Sequence, residues 1–256
     1  MNTMKHLFLM ILICGALNLQ IFAEDDVRAQ IASGDSLYEL FDNKGALQSY
    51  LAALKVDSLN YEANWKAARA YTDVGENTED DDERADLYLL GSKYARKAVQ
   101  IDSTGSKGHL FLSIALGRVA LDAGAKERIR LSKEIKKEVD LAIKYDPNDD
   151  LAYHVLGRWN RKLSNLSWIE KGFADIFLGG VPEDASDENA VAAFKKAIEL
   201  NPQHINHHLE LGITYEMMDM DEDARKEFQT CLDLPISDSD DAKYKEEAQE
   251  RLDDLE

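Results

Sequence analysis

The stretch AVAAFKKAIELNP, residues 190–202, decides the fold class of this chain. Ala190, Phe194 and Ala197 recur at helical spacing, and Asn201 and Pro202 end the helix because proline cannot continue it. A similar ending, an apolar helical stripe stopped by Asp, Asn, Ser or Pro, recurs at residues 53–58, 98–103, 142–147 and 231–235. Five concordant helix ends predict an all-α chain that is built from an internal repeat.

The spacing of these ends identifies the kind of repeat. The polar stops of the first four repeats fall at positions 57, 102, 146 and 201, so repeats two to four are longer than a tetratricopeptide repeat of about 34 residues. The last unit, which stops at position 235, returns to that length and resembles the residue pattern of the family. In that pattern a small residue lets helices A and B approach, and an aromatic ring fills the space beside it. The extra residues of the longer units are placed in the loop between the two helices. The matching residues of the last unit are Leu211, Gly212, Tyr215, Ala224 and Phe228.

The resemblance implies a tetratricopeptide-repeat α-solenoid, a right-handed superhelix of about five helix pairs with insertions in the intra-repeat loops. One helix pair cannot bury its apolar face alone, so successive pairs stack. An irregular helical bundle is the alternative. The prediction is a single domain over 24–256, with repeats at about 27–58, 61–103, 106–147, 150–202 and 205–236 and a C-terminal capping helix at about 241–254.

The segment 1–23 differs from the rest of the chain. Lys5 precedes an apolar run at 7–17, and a more polar stretch then ends at the small residue Ala23. This three-part pattern predicts a secretory signal peptide at 1–23 and a periplasmic or secreted mature chain. The apolar run is too short for a stable membrane span, which needs about 20 residues, although an uncleaved anchor helix is the alternative. No later stretch predicts a membrane span.

Two neighbouring segments carry a closer resemblance. Residues 151–159, LAYHVLGRW, and residues 166–171, LSWIEK, are similar to the regulator of microtubule dynamics family, animal proteins with bacterial relatives. The similarity extends over about residues 45–235. It implies a scaffold used as an adaptor, associated in animals with microtubules, with mitochondrial or reticular membranes and, for some members, with lipid. The predicted leader points away from the cytosol, so the scaffold and its groove are carried over and the animal role is not.

The charge of the groove predicted by the repeat pattern differs from that of the whole chain. The chain has a net charge of −19, which disfavours nucleic acid as a partner. In this family certain positions of helix A line the concave face. At these positions repeats two to four have six basic residues and two acidic ones. Such a groove favours a carboxylate or phosphate. Alternatively, its basic residues pair with acids of neighbouring helices and serve stability. The candidate groove residues are Trp65, Arg69, Lys107, Leu110, Ile114, Arg118, His154, Arg158, Arg161, Lys162, Leu209 and Ile213.

The insertion of the fourth unit contains an apolar stripe at helical spacing within residues 166–178. The stripe predicts an amphipathic helix. Three interpretations stay open: a helix packed on the array, a lid over the groove, or a helix that docks a partner. The residues of this candidate lid or docking helix are Trp168, Ile169, Phe173, Ile176 and Phe177.

No catalytic motif is present in the sequence, so the prediction is a protein that is not an enzyme and has no cofactor. His204, His207 and His208 share a helix face, but no cysteine or second histidine cluster completes a metal site, and no metal is predicted. We predict an exported binding scaffold that takes an acidic peptide or protein partner in its partly basic groove. The alternative is a carrier or sensor of an anionic lipid or amphiphile that the insertion covers.

Overall fold

A computed structural model describes residues 24–166 and 185–255. The predicted signal peptide and the five residues of the candidate lid or docking helix lie outside the described residues. Within the described ranges every regular element is a helix. The helices are α1 (24–39), α2 (Asn43–Val56), α3 (Tyr61–Glu76), α4 (Asp81–Ile101), α5 (Ser106–Val119), α6 (Ala125–Tyr145), α7 (Asp150–Ser164), α8 (Asp187–Leu200), α9 (Ile205–Met217), α10 (Asp221–Asp233) and α11 (Asp241–Asp254).

The chain divides into two compact units, with the division between Ser103 and Thr104. In unit one, residues 1–103, α3 packs against both α2 and α4. In unit two, residues 104–256, α5 packs with α6, α7 with α8, and α9 with α10, while α11 covers α9 and α10. None of the helices in the described ranges has the length and hydropathy needed to cross a membrane.

Several helices begin at a side chain that satisfies a backbone N–H group of the first turn. The side chain of Asn60 accepts from the N–H of Ala63 at the start of α3, and Asp80 does the same at the start of α4. Ser186 accepts from the N–H of Asn189 at the start of α8. Each such cap contributes about 1 kcal/mol to stability, so these starts are encoded locally in the sequence.

A glycine and an aromatic ring meet in four of the helix pairs. A Cβ atom placed on Gly157 would lie 2.7 Å from the Phe194 ring, and one on Gly212 would lie 2.5 Å from the Phe228 ring. The rings of Tyr50 and Tyr88 lie similarly close to glycines of α1 and α3. Only glycine admits the ring at this distance, which confirms the predicted role of the small residue. Phe194 and Phe228 are fully buried and belong to the unit-two core.

Candidate functional site

Unit two contains a pocket of ≈ 610 Å³ between the second halves of α7 and α9 and the helix α11. Charged side chains from all three helices dominate its lining, and Ile213 and Met217 are its apolar members. The lining residues are Arg158, Arg161, Lys162, Asn165, Glu210, Ile213, Glu216, Met217, Glu247 and Arg251.

A buried ion pair lies at the base of the pocket. Nη2 of Arg161 pairs with Oε2 of Glu210, and Nη1 donates to the main-chain oxygen of Glu210 at 3.1 Å. Nη1 of Arg158 lies 3.3 Å from the other carboxylate oxygen, Oε1. Burial by itself raises the pKa of Glu210, but Arg158 and Arg161 outweigh it and hold the pKa below its ordinary value. Two guanidinium groups therefore share one ionised carboxylate, which leaves one positive charge in excess.

Lys162 follows Arg161 on α7 and lies at the pocket rim, where its side chain remains exposed to solvent. The surrounding protein removes part of its hydration and thereby lowers its pKa, and the positive charges of Arg161 and Arg158 lower the pKa further. Among the described residues Lys162 has no salt-bridge partner. The α7 side of the pocket is therefore positive, because its three charged side chains are all cationic.

The opposite side of the pocket has the reverse charge balance. Nη1 of Arg251 lies 2.8 Å from Oε2 of Glu216 on α9. Nε and Nη2 of the same guanidinium donate to Oε1 of Glu247 at 3.0 and 2.9 Å. One cation thus serves two carboxylates on the side formed by α9 and α11. The whole lining contains four cationic groups and three carboxylates, a positive excess in a chain whose net charge is −19.

The structure brings Arg158, Arg161, Lys162 and Ile213 of the candidate groove residues together in this pocket. Sequence reasoning missed Glu210, Glu247 and Arg251 as pocket residues. The sequence offers one signal for Glu210, which is a single acid between Leu209 and Leu211. Arg251 lies in the capping helix, outside the repeat pattern, so the pattern contained no signal for it.

Other candidate groove residues of unit two have different surroundings. Leu110 and Leu209 are fully buried, which corrects their assignment to a ligand surface: their apolar side chains pack between helices and offer no area to a partner. Nζ of Lys107 forms a 2.8 Å ion pair with the buried Asp149. Ile114 and Arg118 on α5 are half-buried. The alternative of basic residues paired for stability therefore describes Lys107 and Arg161.

Trp65 and Arg69 belong to unit one, where Arg69 contacts two aromatic rings. Its guanidinium carbon lies 3.5 Å from the ring centroid of Tyr38 and 5.6 Å from that of Trp65. Nη2 of Arg69 also donates to the hydroxyl of Tyr50 at 3.3 Å. Burial and the acceptor Asp35 raise the pKa of Tyr50, so its hydroxyl stays protonated. Arg69 thus has partners within its own unit.

His154 belongs to a buried chain of hydrogen bonds. Burial alone raises the pKa of Asp150, but hydrogen bonds from His207 and Asn201 lower it to about 2. The ionised carboxylate therefore accepts from Nε2 of His207 at 2.9 Å. Burial lowers the pKa of His207 to about 4, so its other nitrogen, Nδ1, is free of a proton and accepts from Nδ1 of His154 at 3.0 Å.

The sequence grouped His204, His207 and His208 on one helix face, and the structure separates them. The rings of His204 and His207 stack with centroids 4.1 Å apart. His208 instead lies 2.7 Å from Glu227 through Nδ1 and 3.1 Å from the main-chain oxygen of Pro202 through Nε2. In the described part of the chain, no group of three or more His, Cys, Asp or Glu residues is arranged to hold a metal ion.

Comparison with protein families and curated proteins gives a consistent result. The family model described as regulator of microtubule dynamics protein 1-3 matches residues 30–256. Regulator of microtubule dynamics protein 3 of Rattus norvegicus is 30% identical over 187 residues, which cover 73% of this chain and 40% of that protein. Regulator of microtubule dynamics protein 1 of Caenorhabditis elegans is 24% identical over 221 residues, 86% of this chain and 97% of that protein. The chain spans 40–49% of the length of the mammalian protein 3 relatives.

Solved structures resemble the fold. A thermophilic TPR protein of Thermus thermophilus matches with a TM-score of 0.66 and 18% identity, covering 87% of this chain and 98% of that one. Pseudomonas aeruginosa pilF matches with a TM-score of 0.55 and 14% identity, covering 91% and 93%. With the all-helical architecture of the described residues, these likenesses confirm the predicted tetratricopeptide-repeat class.

Proposed function

The chain belongs to the regulator of microtubule dynamics protein 1-3 family, and from this premise we propose that it is a non-enzymatic scaffold whose unit-two pocket binds an acidic segment of a protein or peptide partner. Tetratricopeptide arrays present extended helical surfaces of the kind that bind other chains. The predicted signal peptide would place that partner in the periplasm or outside the cell. The names of the relatives refer to microtubule dynamics, a role that the predicted export disfavours for this chain.

The observation that carries the proposal is the positive α7 side of the pocket. Arg158 is 29% exposed, and within the described residues its one salt bridge is the 3.3 Å pair with Glu210, so its remaining donors can turn toward a ligand. Lys162 adds an exposed ammonium group one turn further along the helix. Charge-assisted hydrogen bonds to carboxylates are stronger than neutral ones, so these two groups favour an acidic side chain on this side of the pocket.

The lining favours a peptide over the alternative, an anionic lipid or amphiphile. A volume of ≈ 610 Å³ lies in the usual range of ligand pockets, but such pockets are mostly apolar when they hold small hydrophobic molecules. Here eight of the ten lining residues are polar or charged. Ile213 and Met217 could cover only a small part of an acyl chain. The rest would lie against charged lining groups, which would lose their hydration.

A fluorescently labelled hexaglutamate peptide tests the proposal by fluorescence anisotropy at low ionic strength. We expect Lys162→Glu to weaken binding by about tenfold, which corresponds to about 1.4 kcal/mol. The matched control is Lys226→Glu on α10, whose side chain is 70% exposed, because it makes the same change in net charge outside the pocket.

Both variants should unfold at the same urea concentration as the wild type, since exposed substitutions rarely change stability by more than about 0.5 kcal/mol. Equal losses of affinity in both variants would show that only net charge matters and would contradict the proposal. Native mass spectrometry of the purified chain adds a second readout, because an added mass that is extracted by organic solvent would favour the lipid alternative.

A further inference from the structure

We infer that the unit-two pocket selects a segment of mixed charge, with a carboxylate that binds the α7 side and a basic side chain that binds the α9–α11 side. This inference rests on the proposed function, because it concerns the same pocket. It specifies the partner further, since a uniformly acidic segment would satisfy only half of the lining.

The α7 side fits one carboxylate. Arg158, Arg161 and Lys162 are its charged groups, and Glu210 compensates one of the three positive charges. Arg161 is committed to Glu210 through two contacts and is almost fully buried. Arg158 and Lys162 are therefore the two groups that can turn toward a ligand, and together they match the two oxygens of a carboxylate.

The α9–α11 side fits one cation. Glu216 and Glu247 share the single guanidinium of Arg251, which leaves one negative charge in excess. The Glu247 side chain is 43% exposed, and ion pairs at such exposure contribute little to stability, about 0–1 kcal/mol. One of these carboxylates can therefore exchange part of its contact with Arg251 for a contact with an incoming ammonium or guanidinium group.

The negative side continues along α11 beyond the pocket. A neighbouring depression of ≈ 480 Å³ is lined by Glu246, Glu247, Glu250 and Asp254, with Lys243 and Arg251 as its cations. Four carboxylates against two cations give this part of α11 a negative potential, which extends the negative side of the first pocket. A ligand that enters from α7 and crosses toward α11 thus moves from a positive into a negative surface.

Repulsion turns this charge separation into selectivity. A polyacidic segment would gain contacts at α7 and lose free energy against Glu216 and Glu247, and a polybasic segment would show the reverse. A protein discriminates between ligands by unfavourable contacts with the wrong one as well as favourable contacts with the right one. The mixed-charge segment gains contacts at both sides.

Three labelled peptides of equal length test the inference by fluorescence anisotropy: hexaglutamate, hexalysine and a block peptide of three glutamates followed by three lysines. We expect the block peptide to bind the wild-type chain at least about fivefold more tightly than hexaglutamate. Glu247→Gln should abolish that difference, because it removes a contact with the lysines of the block peptide and a repulsion of hexaglutamate, whose affinity should rise. The matched control, Glu222→Gln on the exposed surface of α10, should preserve the difference.

The outcomes separate this inference from the proposed function. If Lys162→Glu weakens hexaglutamate binding but the block peptide has no advantage over hexaglutamate, the mixed-charge inference is wrong and the proposed function stands. If no peptide responds to Lys162→Glu, both are wrong. Far-ultraviolet circular dichroism confirms that Glu247→Gln keeps its helices, and a second variant, Glu216→Gln, must reduce the advantage in the same direction.

Discussion

Two contacts within unit two bury helix surface in opposite ways. Where α9 packs on its own partner α10, Gly212 meets the ring of Phe228 and the buried thiol of Cys231 lies among apolar neighbours. Where α9 meets α7 of the preceding repeat, the buried groups are His154 with His207 and Arg161 with Glu210. The contact within the repeat is mainly apolar and follows the repeat pattern, with His208 and Glu227 as a polar pair in it. The contact of α9 with α7 of the preceding repeat is polar.

This difference separates two sources of stability. Apolar packing gains free energy from the area removed from water, and any residue of the right size at the right position supplies it. A buried ion pair offsets its own desolvation only when its geometry is complete, and it becomes costly when one member is lost. The interface that is energetically most sensitive to single substitutions is therefore the one that also forms the base of the pocket.

The largest effect is expected from Glu210→Ala. This change leaves the guanidinium of Arg161 buried without its carboxylate, and breaking a buried pair in this way costs about 3–5 kcal/mol. The measurement is the free energy of unfolding in urea. A double variant, Arg161→Met with Glu210→Met, should recover most of the loss because it removes both buried charges. If the double variant is as unstable as Glu210→Ala, the loss of stability does not come from an unpaired buried charge, and the prediction is wrong.

A smaller loss is expected from Gly212→Ala, which tests the apolar contact. The new methyl group would lie 2.5 Å from the Phe228 ring, which is fully buried and cannot move freely. Overpacking of this kind costs about 1–3 kcal/mol. The control is Gly117→Ala on α5, where a Cβ meets no atom within 4 Å; alanine there should stabilise the helix by up to about 1 kcal/mol. Equal changes in stability for both alanine variants would contradict the close contact between Gly212 and the Phe228 ring.

The smallest of the three effects is a loss of stability on mild acidification. Burial, followed by electrostatic repulsion from neighbouring groups that include Arg158 and Arg118, lowers the pKa of His154 well below its ordinary value. Burial also lowers the pKa of His207 to about 4, against the hydrogen bond to Asp150, which raises it. Both rings stay neutral in the folded chain, while in the unfolded chain they take up protons below about pH 6.5.

Stability falls as the pH falls, because the unfolded state binds more protons than the folded state between about pH 6.5 and 4. Because both rings contribute, the free energy of unfolding should fall by about 1 kcal/mol between pH 6.5 and pH 6. His154→Gln should flatten this slope, since its amide can still donate to Nδ1 of His207 but does not titrate. The measurement is urea unfolding at several pH values, and a variant as steep as the wild type would contradict the assignment.

Much of the fold was predictable because it rests on local patterns. The helix ends near Asp57, Asp102, Asp146 and Asn201 were visible as polar stops after apolar stripes, and the structure ends helices there. The glycine–aromatic pairs of the fourth and fifth repeats were likewise visible from the repeat pattern. The division into two compact units after Ser103 had no signal in the sequence, since the repeat pattern runs across that position without a change in composition.

The candidate site was predictable only in part. Arg158, Arg161 and Lys162 lie within one turn or two of each other on a single helix, so helical spacing alone placed them near one another. Their partners come from far along the chain: Glu210 is 49 residues from Arg161, and Arg251 comes from the capping helix. Leu110 and Leu209 were assigned to the groove by repeat position, but close packing between helices buries them.

The sequence by itself determined which residues form helices, which small and aromatic residues meet within a repeat, and to which family the chain belongs. These features depend on spacings of a few residues, where backbone geometry leaves little freedom. Only the tertiary structure decided which charges are buried against each other, which basic residues remain available to a ligand, and that carboxylates face them across the pocket. Those features depend on side chains that are distant in sequence and flexible, so their pairing is settled only when the helices pack.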